Sequence, residues 1–166
     1  MTITVPYVYT LHMSLNKIII GFIVILLLFS AYIVFQIDKT PKPPSKVTID
    51  NQTFSVELAR TTKEQEQGLS GRTTLPQDQG MLFSFKTSAQ YPFWMKGMKI
   101  PLDILFIKDD KIVTIFNSVP PPKDSKTTNL PVYTPTKPVN YALELNAGQA
   151  KTYDFQNGDD VKIVVK

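Results

Sequence analysis

The sequence predicts a mainly β domain of the α+β class, a compact small barrel or sandwich with two short helices, set behind an N-terminal transmembrane helix. Three observations predict it. Apolar residues recur at a period of two through most of the chain after residue 47. Two short stretches, near residues 61–67 and 147–155, break that period with helix-type residues and a following turn. An uncharged apolar run, Ile18 to Phe35, precedes all of it.

That run reads IIIGFIVILLLFSAYIVF. As a helix it would extend roughly 27 Å, close to the thickness of a hydrocarbon core. A helix buried in a soluble core carries a polar stripe, and this one has none. No small-x-small cleavage site follows it, so the expectation is an uncleaved signal anchor over 18–37 behind a tail at 1–17. Met1 or Met13 can be the start, and Met13 gives the more usual short lead, MSLNK. Charge gives a divided answer on orientation. Lys17 alone precedes the run while Lys39, Lys42 and Lys46 follow it, which by the positive-inside rule favours an internal domain. A short tail before an apolar run favours an exported one, and the extracytoplasmic side is our expectation. With no cysteine in the chain, disulfides and a cysteine-borne lipid play no part.

DKTPKPPSK, residues 38–46, is a proline–lysine spacer with no means of packing. The domain is expected from 47 to 166. Phe54, Val56 and Leu58 alternate with polar or small neighbours, as in a half-buried strand. Thr61 is the expected N-cap of a helix that Gly68 ends. Met81–Phe85 is a buried strand. Leu102–Ile107 and Lys111–Phe116 flank the polar turn Lys108-Asp109-Asp110, a hairpin. Val119 to Pro138 holds six prolines and is expected as a long loop, of the kind that carries function. Tyr141–Leu145 returns to strand, Ala147–Phe155 gives the second short helix, and Val161–Val165 closes the domain.

Composition excludes several classes. The net charge of +4 comes without a basic run, so nucleic acid is not an expected partner. The sole histidine, His12, lies ahead of the apolar run. A Ser-His-Asp triad and a histidine zinc site are therefore out of reach of the domain. No nucleotide-binding glycine motif occurs, and no cofactor is expected.

Six blocks occur in order: Glu57-Leu58-Ala59-Arg60-Thr61, Gly68-Leu69-Ser70-Gly71-Arg72, Gly80-Met81-Leu82-Phe83, Phe93-Trp94-Met95-Lys96, Pro101-Leu102-Asp103-Ile104-Leu105-Phe106, and Leu143-Glu144-Leu145-Asn146-Ala147-Gly148. In these the chain resembles the uncharacterised family called domain of unknown function 192. The resemblance runs from about Thr53 to Val164. It implies a compact, mostly β fold in proteins that are often exported or anchored, and it implies no activity. Members often carry Asn where this chain has Gly97.

The candidate site residues lie mostly between Arg60 and Phe106. Arg60 and Arg72 are the only arginines. Their planar forks suit a carboxylate or phosphate, or else they pair with Asp103 or Glu144. Tyr91, Phe93 and the single tryptophan, Trp94, gather beside Met95, Lys96 and Met98. Such a cluster is either core or a platform for a sugar ring or flat ligand. Asp103 and Glu144 sit among apolar neighbours. A buried carboxylate must be paired, hydrogen-bonded or protonated; if the two converged they could serve glycosidase-type acid–base chemistry. Met81, Met95 and Met98 form a weak alternative, a thioether site for a soft metal. The leading expectation is a single-pass membrane protein whose domain binds a carbohydrate or anionic ligand through Arg60, Arg72, Tyr91, Trp94, Met95 and Lys96, without catalysis. The alternatives are a small polysaccharide-acting enzyme using Asp103 and Glu144, and a structural or protein-interaction module.

Overall fold

The computed structural model describes residues 15–37, 45–123 and 129–166, with side chains of the first helix described from Lys17 to Ile33. The tail with His12 and Met13, most of the spacer and part of the 119–138 loop lie outside the described residues. The chain divides into two units, 1–42 and 43–166.

The first unit contains α1, Leu15–Ile37. Among the described residues no helix is long and apolar enough to cross a membrane.

The second unit is mainly β, of the α+β class. Its elements are β1 (Ser45–Ile49), β2 (Gln52–Ala59), α2 (Thr62–Gln67), β3 (Gln79–Ala89), β4 (Phe93–Trp94), β5 (Leu102–Lys108), β6 (Lys111–Val119), β7 (Val132–Tyr133), β8 (Val139–Asn146), α3 (Gln149–Thr152) and β9 (Val161–Val164). Seven strands form one sheet in the order β6-β5-β8-β3-β2-β1-β9. All neighbours are antiparallel except β2 and β3, which run parallel through α2. The outer strands approach each other at one end. Lys111 bridges Asp160, and the Val161 N–H donates to the Asp110 carbonyl at 2.8 Å. The sheet is thus a curled half-barrel, not the two facing sheets of a sandwich.

Local chemistry explains the elements. Thr61 and Glu64 form a reciprocal capping box at the start of α2: Glu64 N–H donates to Thr61 Oγ1, and Glu64 Oε2 accepts the Thr61 N–H. The β5–β6 hairpin turns through Asp109 and Asp110, both at φ above +45°, the conformation that aspartate tolerates better than most side chains. Strand periodicity sends alternate residues to two cores. Leu82, Leu105, Ile107, Leu143 and Leu145 fill one face. Phe83, Ile104, Phe106 and Ala142 fill the other, beneath α2 and β4.

Two expectations are corrected here. The strand at Ser45–Ile49 takes in Ser45 and Lys46, which read as spacer, and Ser45 is buried. The 119–138 stretch is not structureless, because Val132–Tyr133 pairs with Phe93–Trp94 in a two-stranded ribbon.

Candidate functional site

A cleft of about 200 Å³ opens on the second face, between α2 and the aromatic residues of β3 and β4. Its walls follow from the sequence pattern. On β3 the period of two puts Phe83 and Phe85 on this face. The chain then turns through Tyr91-Pro92 and returns Phe93 against them. Phe83 and Phe93 meet edge to face at 4.9 Å between ring centres, and Phe85 and Tyr91 stack at 3.8 Å. Trp94 stands at the rim, 52% exposed, paired across the ribbon with exposed Val132. Opposite lie Thr62, Gln65 and Glu66 of α2, with Gly68 and Leu69 beyond it.

Glu144 forms the floor. It sits on central strand β8, with Met81 of β3 and Ile104 of β5 directly beside it. It is 5% exposed, and its Oε2 has no hydrogen-bond partner among the described residues. Burial pushes its pKa up to about 8, because an apolar surround disfavours the charged form. The carboxyl is therefore mostly protonated at neutral pH.

Asp103 is committed elsewhere. Its Oδ1 accepts the N–H groups of Ser118 at 2.6 Å and Gly148 at 3.0 Å, and its Oδ2 accepts that of Ala150 at 2.8 Å. Along β5 it shares the face of Leu105 and Ile107, whereas Glu144 faces the side of Ile104 and Phe106. The two carboxylates lie on opposite faces of the sheet. They cannot close on one substrate, which removes the acid–base pair the sequence left open.

The arginines pair with neither Asp103 nor Glu144. Arg72 donates from both terminal guanidinium nitrogens, Nη1 and Nη2, to Glu57 Oε1 and Oε2, each at 2.6 Å. The hydrogen bond and charge of Arg72 hold the Glu57 carboxyl below its usual range, against a partial opposing effect of burial. Arg60 lines an adjoining depression with Thr61, Lys86 and Thr87, which shares Thr62, Gln65, Phe85 and Tyr91 with the cleft. Neither arginine lines the cleft. Lys96 is exposed outside it, and Met95 is buried in the core. Met81, Met95 and Met98 are all core side chains beneath this face; Met98 alone reaches the cleft lining. Among the described residues no group of three or more histidine, cysteine, aspartate or glutamate side chains is placed to hold a metal. Gly97 also lies outside the lining. Its φ is +70° and its carbonyl accepts the Gly71 N–H at 2.9 Å, a backbone role.

Of the residues the sequence singled out, the structure brings Tyr91, Phe93, Trp94, Met98 and Glu144 together. It adds Phe83, Phe85, Gln65 and Glu66. The signal for Glu144 was available in the alternation of β8, which pairs it with buried Ala142. The covering of that face by α2 was not.

No curated protein matches the chain. Two solved structures resemble it at 33% sequence identity. One is a protein of unknown function from Novosphingobium aromaticivorans DSM 12444, with a TM-score of 0.64 over 72% of this chain and 83% of that one. The other, from Sinorhizobium meliloti 1021, is described as a candidate transcription regulator; its TM-score is 0.63 over 75% of this chain and 97% of that one. The family model of domain of unknown function 192, described as an uncharacterized ACR, matches residues 45–163, so the chain belongs to that family.

Proposed function

We propose that this protein is a membrane-anchored binding domain, displayed outside the cytoplasm, that takes a small envelope-derived ligand into the cleft between α2 and β4. The observation that carries the binding reading is Glu144: a buried carboxyl with an unpartnered oxygen, at the floor of an open aromatic cleft. Leaving such a group unsatisfied costs about 1–3 kcal/mol. A scaffold that needed only packing would gain by placing an apolar residue there. Rigid rings around a few polar atoms are what small-ligand sites offer.

Anchoring is supported by α1. Its large apolar side chains from Ile18 to Ile33 are all exposed, and a helix apolar on every side has no stable place in water. The Sinorhizobium meliloti relative brings nucleic acid to mind, but the cleft contains Glu66 and Glu144 and no basic side chain. That is the wrong sign for a phosphate backbone.

Two experiments test the reading. Trp94 is the only tryptophan and stands at the cleft mouth, so its emission reports occupancy. Titration of the full chain with envelope sugars, small anions and small amines should give a saturable change with at least one of these classes. Flat titrations with all three would sink the binding reading. For the anchor, protease added to intact cells should digest the domain, and full protection would reverse the assigned side.

A further inference from the structure

The polar side chains of the cleft are richer in acceptors than in donors. Both Nε2 hydrogens of Gln65 are spent within the fold: the amide donates to the Ala59 carbonyl at 3.3 Å and the Ser84 carbonyl at 3.0 Å. Gln67 Nε2 donates to the Ser70 carbonyl at 3.2 Å. The amide nitrogens therefore turn away from a ligand. Besides these glutamines the space is lined by the carboxyl side chains Glu144 and Glu66, the Thr62 hydroxyl, the aromatic rings and one indole N–H, that of Trp94. Among the described residues no lysine or arginine lines it. Acceptors, negative charge and aromatic faces together select a cation that donates hydrogen bonds. They disfavour an anion, which finds no positive partner there.

Size narrows the choice. About 200 Å³ is less than a drug-sized ligand needs, and it suits a compact head on a short stem. Gly68 leaves the approach to the carboxyl open, since a Cβ there would stand 3.8 Å from Glu144 Oε2 and 3.4 Å from the Phe83 ring.

We propose that the cleft, taken as the binding site argued above, recognises a small organic ammonium ion, with its N–H groups on Glu144 and its apolar stem against the rings of Phe83, Phe85 and Phe93. The cation supplies a positive charge beside Glu144 and N–H groups that its oxygens accept once it ionises. Binding then acts on the proton of Glu144. Its carboxyl holds a proton up to about pH 8 when the cleft is empty, and an adjacent ammonium favours the carboxylate. The other titratable groups facing it are few: Glu66 from α2, and Tyr91 from the turn before β4. The neighbouring strands present Met81, Phe83, Ile104 and Phe106, none of which titrates. Ammonium uptake at pH 7 therefore releases about one proton, and affinity rises about tenfold per pH unit until it levels near pH 8.

The test is calorimetric titration of the full chain in nonionic detergent, at pH 6, 7 and 8, in two buffers that differ in ionisation enthalpy. The probes are butylammonium, 1-butanol as its neutral counterpart, and glucose. Butylammonium should bind, tighten with pH as stated, and release about one proton at pH 7, while 1-butanol binds at least tenfold more weakly. Glu144→Gln, checked for folding by its melt, should lose at least tenfold in butylammonium affinity and all of the proton release. The release itself is read on the unmodified protein, so the test does not depend on that variant. If 1-butanol or glucose binds as well as butylammonium with no pH dependence, the cleft is a site and the ammonium assignment is wrong. If none of the three binds, the ammonium assignment fails, and only a response to another ligand class in the Trp94 titration keeps the cleft as a site.

Discussion

Asp103 caps α3 in place of Gly148. Gly148 is the N-cap residue of that helix and has no side chain to offer; its N–H donates to Asp103 Oδ1 at 3.0 Å. The same carboxylate takes the Ala150 N–H on Oδ2 and the Ser118 N–H on Oδ1. One side chain on β5 thereby fixes the end of β6 and the start of α3, at no exposure to solvent. Its apolar sequence context is explained by backbone donors and not by an arginine.

It follows that Asp103→Ala strips three buried or part-buried N–H groups of their acceptor. We expect a loss on the order of 4 kcal/mol, a large part of the stability of a domain this size. Asp103→Asn keeps one acceptor oxygen and should lose less. Urea unfolding followed by Trp94 emission measures both. An unchanged midpoint for the alanine variant would mean that the backbone donors find other partners.

Arg72 is a surface clamp. Its two bonds to Glu57 are short, but the side chains are 36% and 52% exposed, so solvent screens the pair and it contributes under about 1 kcal/mol. Arg72→Lys loses the fork and should lower stability by a few tenths of that scale. The sign with pH is fixed by Glu57, whose folded pKa is depressed. Its contribution is present above the unfolded value near 4.5 and is lost as pH falls through the folded value. The parent and the lysine variant should therefore differ at pH 7 and converge in acid. A gap that widens in acid would contradict the pairing.

Much of the fold was legible because local rules and tertiary demands agree. The capping box at Thr61 and Glu64, the Asp109-Asp110 hairpin and the alternation through Phe54, Val56 and Leu58 all act within a few residues. What escaped depends on partners distant in sequence. Phe93-Trp94 is too short to be read as a strand until Val132-Tyr133 lies beside it. Ser45 looks like spacer until its strand is seen between β2 and β9. The site divides in the same way. Aromatic clustering marked Tyr91 and Trp94. For Arg72 the sequence left an anion or a carboxylate of the fold as partner, and the structure pairs it with Glu57. Glu144 was recognisable as a carboxylate among leucines. That it faces a cleft, on the side of the sheet opposite Asp103, depends on where α2 packs.

Trp94 separates fold from function. Its ring is 52% exposed and lies in a two-residue strand, so truncation removes little buried area. Trp94→Ala should cost about 1 kcal/mol or less, well short of the 3–5 kcal/mol of a core aromatic. Ligand affinity should fall, by roughly 0.5–2 kcal/mol for a lost ring face. A thermal melt beside a calorimetric titration checks both numbers. A variant that melts many degrees lower would make Trp94 a support for the ribbon and remove it from the binding surface.

Glu144 gives the sharpest prediction, because its effect on stability changes with pH in a defined direction. The folded pKa is raised to about 8 from the ordinary 4.5, through burial. Between those values the folded state holds a proton that the unfolded state has lost, so stability falls as pH rises. The contribution of the group is most favourable below pH 4.5 and is lost by about pH 8. At about 1.36 kcal/mol per unit, the full swing is on the order of 5 kcal/mol. Glu144→Gln keeps the shape and cannot ionise. It should match the parent near pH 5 and exceed it in melting temperature by pH 9, so that the two stability curves separate upward from neutrality. Ammonium ligand added at pH 9 should narrow that gap, since it compensates the buried charge only where the charge exists. Parallel curves from pH 5 to pH 9 would show that Glu144 ionises freely, with water reaching its carboxyl, and the cleft floor would then lack the unpaired group on which its binding role rests.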